Sequence, residues 1–246
     1  MSTTPFWVSA FLDVAPGAFD RGVEFWRGVT GYAVSDPRGE RDHFVTLAPP
    51  DGDDYLRLQH LADGPGGLHL DLHVENPTIA AEAAVELGAH VLMRHEDGYV
   101  VVRSPGGFVF CFVRAQASRG PAAATWPDGH RSRVDQVCLD IAPSAYDVEV
   151  AFWPSLTGWD HDPDVSREFA RLHPPGSMPL LWLVQRLDDE RSPVSAHLDL
   201  STDDHEAEIA RHVELGATVV STHDHWTVLT DPVGTTYCIT RRTPVD

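Results

Sequence analysis

The sequence GLHLDLHVEN, residues 67–76, contains the tetrapeptide His-Leu-Asp-Leu, which returns in SAHLDLSTDD, residues 195–204. The two histidines of this tetrapeptide, His69 and His197, are separated by 197 − 69 = 128 residues in a chain of 246 residues. A repeat period near half the chain length predicts that the two halves are copies of one structural unit.

Other matches occur at nearly the same offset along the two halves. They are Phe25-Trp26 with Phe152-Trp153, Thr30-Gly31 with Thr157-Gly158, Glu86-Leu87-Gly88-Ala89 with Glu214-Leu215-Gly216-Ala217, and Cys111 with Cys238. We therefore predict two domains, 1–115 and 131–246. The segment 116–130 between them is rich in Ala, Pro and Gly, which is typical of a linker.

Each half divides again into two modules with the order strand, helix, strand, strand, strand. In the second module, Asn76 and Pro77 predict a helix start, because Asn caps helices and Pro suits the first turn. We expect an apolar stripe of Ile79, Ala83 and Leu87 on this helix. The predicted fold class is α+β, with two tandem domains, each a pair of βαβββ modules whose sheet forms a cup.

The charge balance excludes several classes of partner. The chain has 37 acidic and 18 basic residues and a formal charge of −19, so it would repel nucleic acid and anionic membranes. No apolar run is long enough to span a bilayer, and the first residues lack a basic signal region. Three cysteines are too few for a disulfide framework, so we predict a cytoplasmic location. A second copy of the chain, in a homodimer, is a further candidate partner.

Strand geometry groups the polar residues of the repeated tetrapeptide. Alternate residues of a strand share a face, so His69, Asp71 and His73 lie on the face opposite the leucines. Along the strand, His69 and Asp71 are separated by about 6.6 Å. A histidine beside a carboxylate can act as a general acid or base. The candidate catalytic residues are therefore His69, Asp71, His197 and Asp199. The first half is favoured because His73 adds a third ionisable group. The alternative is that these residues only satisfy neighbouring strands and loops.

Cys111 and Cys238 are predicted to face the same side as these polar groups. A thiol near an imidazole can become a nucleophile, although a free cysteine more commonly behaves as a small buried hydrophobe. The aromatic residues Trp7, Phe11 and Trp182 are expected to line the cups, which would suit an apolar or planar ligand.

The chain resembles the vicinal oxygen chelate superfamily, which includes glyoxalases, bleomycin-resistance proteins and dioxygenases. The resemblance is carried by LDVAP, FW and TGY in the opening module, by the HLDL strand, and by the Pro-x-Gly turn before Cys111 and before Cys238. It covers both halves and implies the paired-module fold. The resembling branch is "glyoxalase-like", which is defined by fold more than by one reaction.

The resemblance also implies where a divalent metal would bind. Metal-dependent members use a side chain of the first strand, one of the strand that opens the second module, and a Glu of the last strand. These positions are occupied here by Ser9, His69 and Cys111 in the first half, and by Gln136, His197 and Cys238 in the second. A fourth position falls near Arg57 and near Trp182, without a carboxylate. Because ions for this chemistry prefer carboxylate and imidazole ligands, we predict no metal and no other cofactor, with a divalent metal as the less favoured alternative.

Three functions follow from these observations. The first is a metal-independent enzyme of the isomerase, lyase or cyclase type that uses the His–Asp pairs on a small organic substrate. The second is a binding protein that sequesters a drug or metabolite, with ligand contacts from Trp7, Ser9, Phe11, Arg57, Gln136, Trp182, Cys111 and Cys238. The third is a metal-dependent lyase or dioxygenase.

Overall fold

The first half of the chain folds as an eight-stranded sheet with two helices. The computed structural model describes residues 3–39, 42–163, 165–191 and 193–244. The elements of this half are β1 (Trp7–Val14), α1 (Phe19–Thr30), β2 (Ala33–Val34), β3 (Phe44–Ala48), β4 (Leu56–His60), β5 (Gly67–His73), α2 (Pro77–Glu86), β6 (His90–Arg94), β7 (Val100–Arg103) and β8 (Val109–Val113). The strand order in the sheet is β2-β3-β4-β1-β5-β8-β7-β6.

The second half repeats this arrangement. Its elements are β9 (Ala124–Thr125), β10 (Arg131–Ile141), α3 (Pro143–Thr157), β11 (Asp160–Asp162), β12 (Phe169–His173), β13 (Leu181–Arg186), β14 (Ser195–Thr202), α4 (His205–Glu214), β15 (Thr218–Thr222), β16 (Trp226–Thr230) and β17 (Thr236–Thr240). The order β11-β12-β13-β10-β14-β17-β16-β15 matches the first sheet strand for strand. The predicted α+β tandem fold is confirmed.

The helix α2 begins where the sequence predicts, but it buries a different face. The Asn76 side chain accepts hydrogen bonds from the backbone N–H groups of Thr78 and Ile79 at 3.1 and 3.2 Å. The predicted stripe is wrong, because Ile79 and Leu87 are exposed. The buried face is made by small residues, Pro77, Ala80, Ala81 and Ala84, which let the helix backbone approach the sheet closely.

The helix α1 ends at Gly31. Gly31 has φ of +70°, a left-handed conformation in which glycine carries no steric penalty, and its N–H donates to the Arg27 carbonyl. Its buried face includes Phe25, Trp26 and Val29.

The predicted linker contains a short strand. Strand β9 pairs antiparallel with the start of β10, with Thr125 opposite Arg131. The intervening turn is closed by the Trp126 N–H, which donates to the His130 carbonyl at 2.9 Å. The segment 116–130 is therefore partly ordered by backbone hydrogen bonds rather than being a simple spacer.

By contacts, the described chain divides into two compact units that each contain segments of both halves. The first unit consists of the segments up to Ala10, Leu68–Arg119 and Val137–Ala196, and the second of Phe11–Gly67, Gly120–Gln136 and the residues from His197. These units differ from the predicted division into 1–115 and 131–246, which follows the sequence repeat. That division stays a prediction about the unit of duplication.

Each unit has an aromatic core. In the first unit, the ring of Trp153 on α3 lies 5.1 Å from Phe110 of β8 and 6.1 Å from Phe108. In the second, Trp26 of α1 lies 5.3 Å from Tyr237 of β17. Large rings packed at these distances supply much of the apolar burial that stabilises a domain. Among the described residues, no helix is long and apolar enough to cross a membrane.

Candidate functional site

A first cluster of reactive side chains lies on strands β5 and β8. The two strands are parallel neighbours, and their register places Asp71 directly opposite Cys111. The ligand atoms of His69, Asp71 and Cys111 all lie within 4.8 Å of one another. We call this cluster site 1. It is mostly shielded from solvent, since Asp71 is 9% exposed and Cys111 8%, while His69 is half-buried.

His73, which the sequence adds to this group, is engaged elsewhere. Its Nε2 lies 2.9 Å from the hydroxyl oxygen of Ser9 on β1, and both residues are buried. The Phe6 ring also packs edge-on against it, at 6.4 Å. The Ser9–His73 hydrogen bond is thus a buried link between β1 and the end of β5. His73 is therefore hydrogen-bonded to Ser9, whereas His69 lies close to Asp71 and Cys111.

The second half carries an equivalent cluster on β14 and β17. These strands are also parallel, with Asp199 opposite Cys238. The ligand atoms of His197, Asp199 and Cys238 lie within 4.8 Å of one another, and we call this cluster site 2. The repeated tetrapeptide therefore builds the same constellation twice, with a cysteine from the last strand added in both halves.

Site 2 differs from site 1 in how its carboxylate is held. The amide nitrogen of Gln136 on β10 donates to Oδ2 of Asp199. The other oxygen, Oδ1, lies 3.3 Å from Nε2 of His197. Asp199 is only 3% exposed, and its Oδ1 accepts no hydrogen bond from the residues that the structure describes. Two residues after Asp199 on β14, the Ser201 hydroxyl donates a hydrogen bond to the Asp135 carboxylate at 2.7 Å.

Two of the predicted ligand-binding residues lie together on another part of the first sheet. The guanidinium of Arg57 stacks over the ring of Phe11 at 5.3 Å, and it also pairs with Asp54 at 2.6 Å. The ring of Phe44 lies 5.9 Å from that of Phe11. This arrangement places a cation against a buried ring, since Phe11 is 7% exposed, and beside the half-buried ring of Phe44. Trp7, on the same strand as Phe11, is completely buried.

Trp182 lies on the helix-packed side of its strand, contrary to its expected place in a cup. Its ring is 5.1 Å from Trp153 of α3 and 5.6 Å from Trp159, and it is fully buried. The strand β13 alternates, so Trp182 shares a buried face with Val184 while Leu183 points the other way. The packing assigns Trp182 to the core, and a ligand contact from it stays a prediction.

Two surface cavities lie apart from both sites. Their volumes are 230 and 460 Å³. Neither is bordered by a residue of site 1 or site 2. The smaller one is lined by Pro143, Arg167, Glu168, Arg186, Leu187 and Asp188, and the larger one lies around Ser104, Pro105, Gly106, Val109 and Pro193. Site 1 and site 2 are therefore distinguished by their clustered His, Asp and Cys side chains and not by a large cavity.

The sequence matches the family model of the glyoxalase-like domain twice, over residues 9–113 and 136–240. The chain belongs to this family. Its membership confirms the resemblance derived from the repeated motifs, and both matched segments contain a complete His–Asp–Cys cluster. No curated protein sequence matches the chain.

Solved structures share the fold of this glyoxalase-like protein at low sequence identity. A 2,2′,3-trihydroxybiphenyl 1,2-dioxygenase from Sphingomonas wittichii has a TM-score of 0.65 and 13% identity, covering 99% of this chain and 92% of that one. The Mn(II)-bound glyoxalase from Novosphingobium aromaticivorans has a TM-score of 0.65 and 15% identity, covering 99% and 84%. A halotolerant catechol dioxygenase has a TM-score of 0.63 and 15% identity, covering 100% and 90%. At these identities the likeness shows the fold alone.

The donor atoms of the two sites do not match the ion of the manganese-bound relative. Manganese favours carboxylate, carbonyl and water oxygens, and non-haem iron is typically held by two histidines and one carboxylate. Each site of this chain offers one imidazole, one carboxylate and one thiol. A thiolate in this set favours zinc or another sulfur-binding ion. The histidine and the cysteine of each site occupy positions that the family resemblance implies for metal ligands, whereas the aspartate does not. The available signal for the aspartate was its position two residues after the histidine, on the same face of the strand.

Proposed function

We propose that this glyoxalase-like protein acts on a small organic molecule at site 1, with His69 as the acid–base group. The observation that supports this proposal is the clustering of His69, Asp71 and Cys111 within 4.8 Å. His69 is the most accessible of the three, so a substrate can reach its ring while Asp71 stays shielded behind it. A carboxylate placed beside an imidazole orients the ring and stabilises its protonated form.

The chemistry that this arrangement supports is proton transfer. The neutral imidazole of His69 takes a proton from a carbon next to a carbonyl group, and the charge that develops on the ring is stabilised by Asp71. The protonated ring then returns the proton to a neighbouring atom, which completes an isomerisation, or to a leaving group, which completes an elimination. Histidine suits both steps because its charge changes near neutral pH.

Solvent-deuterium exchange tests this proposal without knowledge of the natural substrate. The protein is incubated in D₂O with a panel of 2-oxo acids and α-hydroxy ketones, and the loss of C–H signals next to the carbonyl is followed by proton NMR. Removing a general base typically lowers such rates by about 10²- to 10⁴-fold, so His69→Ala should lose most of the exchange. Asp71→Asn should reduce it less, because the imidazole remains.

His197→Ala, which alters the matching histidine of site 2, is the control and should retain exchange at site 1. Equal exchange by wild type and His69→Ala would overturn the assignment of His69. Wild-type protein that causes no exchange above buffer with any member of the panel would count against the enzyme and in favour of a binding protein.

A sequestering protein is the second candidate, and the stacked pair Phe11–Arg57 is the observation that favours it. The guanidinium of Arg57 and the half-buried ring of Phe44, packed on the buried ring of Phe11, offer a small surface for a planar ligand that carries negative charge. Isothermal titration of Phe11→Ala and His69→Ala against a bound compound separates the candidates. Sequestration requires that Phe11→Ala weakens binding strongly and that His69→Ala changes it little.

A further inference from the structure

We infer that the larger cavity binds the carboxylate end of the substrate on which site 1 acts, with Arg103 as the residue that selects an anionic molecule. The inference rests on the proposed function for the reacting end of that substrate. It follows from a row of side chains that joins the cavity to His69, from the lining of the cavity and from a comparison of the two halves.

The row crosses four neighbouring strands of the first sheet, β6, β7, β8 and β5. His90 of β6 is opposite Arg103 of β7, and Arg103 is opposite Val109 of β8. The parallel register of β8 and β5, continued by one residue, places His69 level with Val109. Residues that are level with one another on adjacent strands project from the same face of a sheet. The guanidinium of Arg103 therefore shares a face with the proposed acid–base group.

The burial pattern agrees with this assignment of faces. Arg103 and Val109 are exposed, whereas Val102 and Phe110, which alternate with them along the same strands, are fully buried. Two strand spacings separate the Cα atoms of Arg103 and His69, which makes about 10 Å. A molecule only a few carbon atoms long can span the gap that remains between the two side chains.

The lining of the cavity fits a carboxylate joined to a short apolar chain. Its volume of 460 Å³ lies in the range of small-molecule sites. Arg103 and His90 supply N–H donors, and the exposed side chains of Leu92 and Val109 supply apolar surface. A guanidinium binds a carboxylate through two parallel hydrogen bonds. No carboxylate of the described residues pairs with Arg103, so this group is available to a ligand.

The second half lacks this chemistry at the same positions. Its equivalent row is formed by Thr218, Thr230 and Thr236, which are paired in the same way and carry no charge. The guanidinium and the imidazole of the first half are therefore not required by the fold that the two halves share. In a chain with a formal charge of −19, most of the surface repels an anion, so a local cation decides where an anion binds.

The test uses two keto acids, 4-oxopentanoate and 6-oxoheptanoate, which carry a carboxylate at different distances from a methyl ketone, and their uncharged methyl esters. Isothermal titration measures affinity, and proton NMR in D₂O measures exchange of the C–H groups next to the ketone. We expect at least one acid to bind more tightly than its ester. Arg103→Thr, which copies the second half, should weaken binding of the acid by about 10-fold and leave binding of the ester unchanged.

Arg94→Thr is the matched control, because it removes the same charge from an exposed position of β6 that does not line the cavity. This variant should bind the acid as wild type does. Circular dichroism verifies that both variants are folded. The inference is overturned if neither acid binds more tightly than its ester, or if Arg94→Thr weakens binding as much as Arg103→Thr.

His69→Ala separates this inference from the proposed reaction. It should lose exchange and keep its affinity for the acid, since the carboxylate is held by Arg103. Exchange by wild type with an affinity that does not depend on Arg103 would overturn the inference and leave the reaction standing. Binding that depends on Arg103, in a wild-type protein that causes no exchange, would overturn the reaction and support the larger cavity as an anion site.

Discussion

The imidazole of His130 lies 2.7 Å from the carboxylate of Glu208, although 78 residues separate them in sequence. The other ring nitrogen of His130 lies 2.6 Å from Asp128. Glu208 is completely buried on α4 and also pairs with Arg211 and His212 at 2.7 and 2.9 Å. This network fastens the end of the interdomain segment to the fourth helix, within one compact unit.

Glu208→Gln should destabilise the protein strongly. Burial alone would raise the pKa of Glu208, but hydrogen bonds from His212 and Arg211 outweigh burial and hold it well below its usual range. Removing one partner of a buried ionic network leaves the others uncompensated, so we expect a loss of about 3 kcal/mol in the free energy of unfolding. Urea unfolding measures this loss. Glu206→Gln, at an exposed position on the same helix, should change stability by no more than about 0.5 kcal/mol.

The contribution of His130 should fall as pH rises. Burial lowers the pKa of His130, but hydrogen bonds to Glu208 and Asp128 outweigh burial and raise it above 6.5. A histidine with a raised pKa binds its proton more tightly in the folded state, so its contribution is complete below the unfolded pKa and is lost above the folded one. His130→Gln should therefore be more destabilising at about pH 5.5 than at about pH 8.5.

The difference in unfolding free energy between wild type and His130→Gln, measured by urea titration across this range, checks the sign. Wild type and variant must be compared because the contribution of His212 to stability has the opposite pH dependence. Burial lowers the pKa of His212 despite its hydrogen bond to Glu208, so its contribution is lost as pH falls. A gap between wild type and variant that widened with rising pH would contradict the assignment.

Asn76→Ala should weaken the second module by removing the cap of α2. The Asn76 carboxamide satisfies two backbone N–H groups at the start of the helix. Loss of such a cap typically destabilises by about 1 kcal/mol. Thermal or urea unfolding provides the measurement, with Glu82→Ala on the exposed face of the same helix as control. If both variants unfold at the wild-type midpoint, the cap does not contribute as proposed.

Trp182→Ala should affect stability rather than ligand affinity. The ring is fully buried against Trp153 and Trp159, and truncating a buried tryptophan leaves a large cavity. We expect a loss of about 3 to 5 kcal/mol. The neighbouring residue Leu181 is 42% exposed, so Leu181→Ala should be nearly neutral. If the Trp182→Ala protein is as stable as wild type but binds ligand poorly, Trp182 contributes to ligand binding rather than to the core.

The residues that act locally were predictable from the sequence. The repeated tetrapeptide and its matched partners reveal the tandem fold, because a duplicated sequence retains its hydrophobic pattern in both copies. Asn76 and Gly31 mark helix ends because capping and left-handed backbone conformations depend on one residue and its nearest neighbours. Strand alternation likewise places His69 and Asp71 on one face without any knowledge of the fold.

The relationships that depend on pairing were decided by tertiary structure. Parallel pairing puts Cys111 beside Asp71 and Cys238 beside Asp199, and strand register is not encoded in either strand alone. Apolar alternation on β13 shows that Trp182 and Leu183 face opposite sides, but only the packed helix α3 decides which side is the core. The repeat makes the two halves equivalent in sequence pattern, but Gln136 bonds to Asp199 and the equivalent residue Ser9 bonds to His73. The partner differs because a buried amide or hydroxyl group bonds to the polar atom that the folded structure places within hydrogen-bond distance.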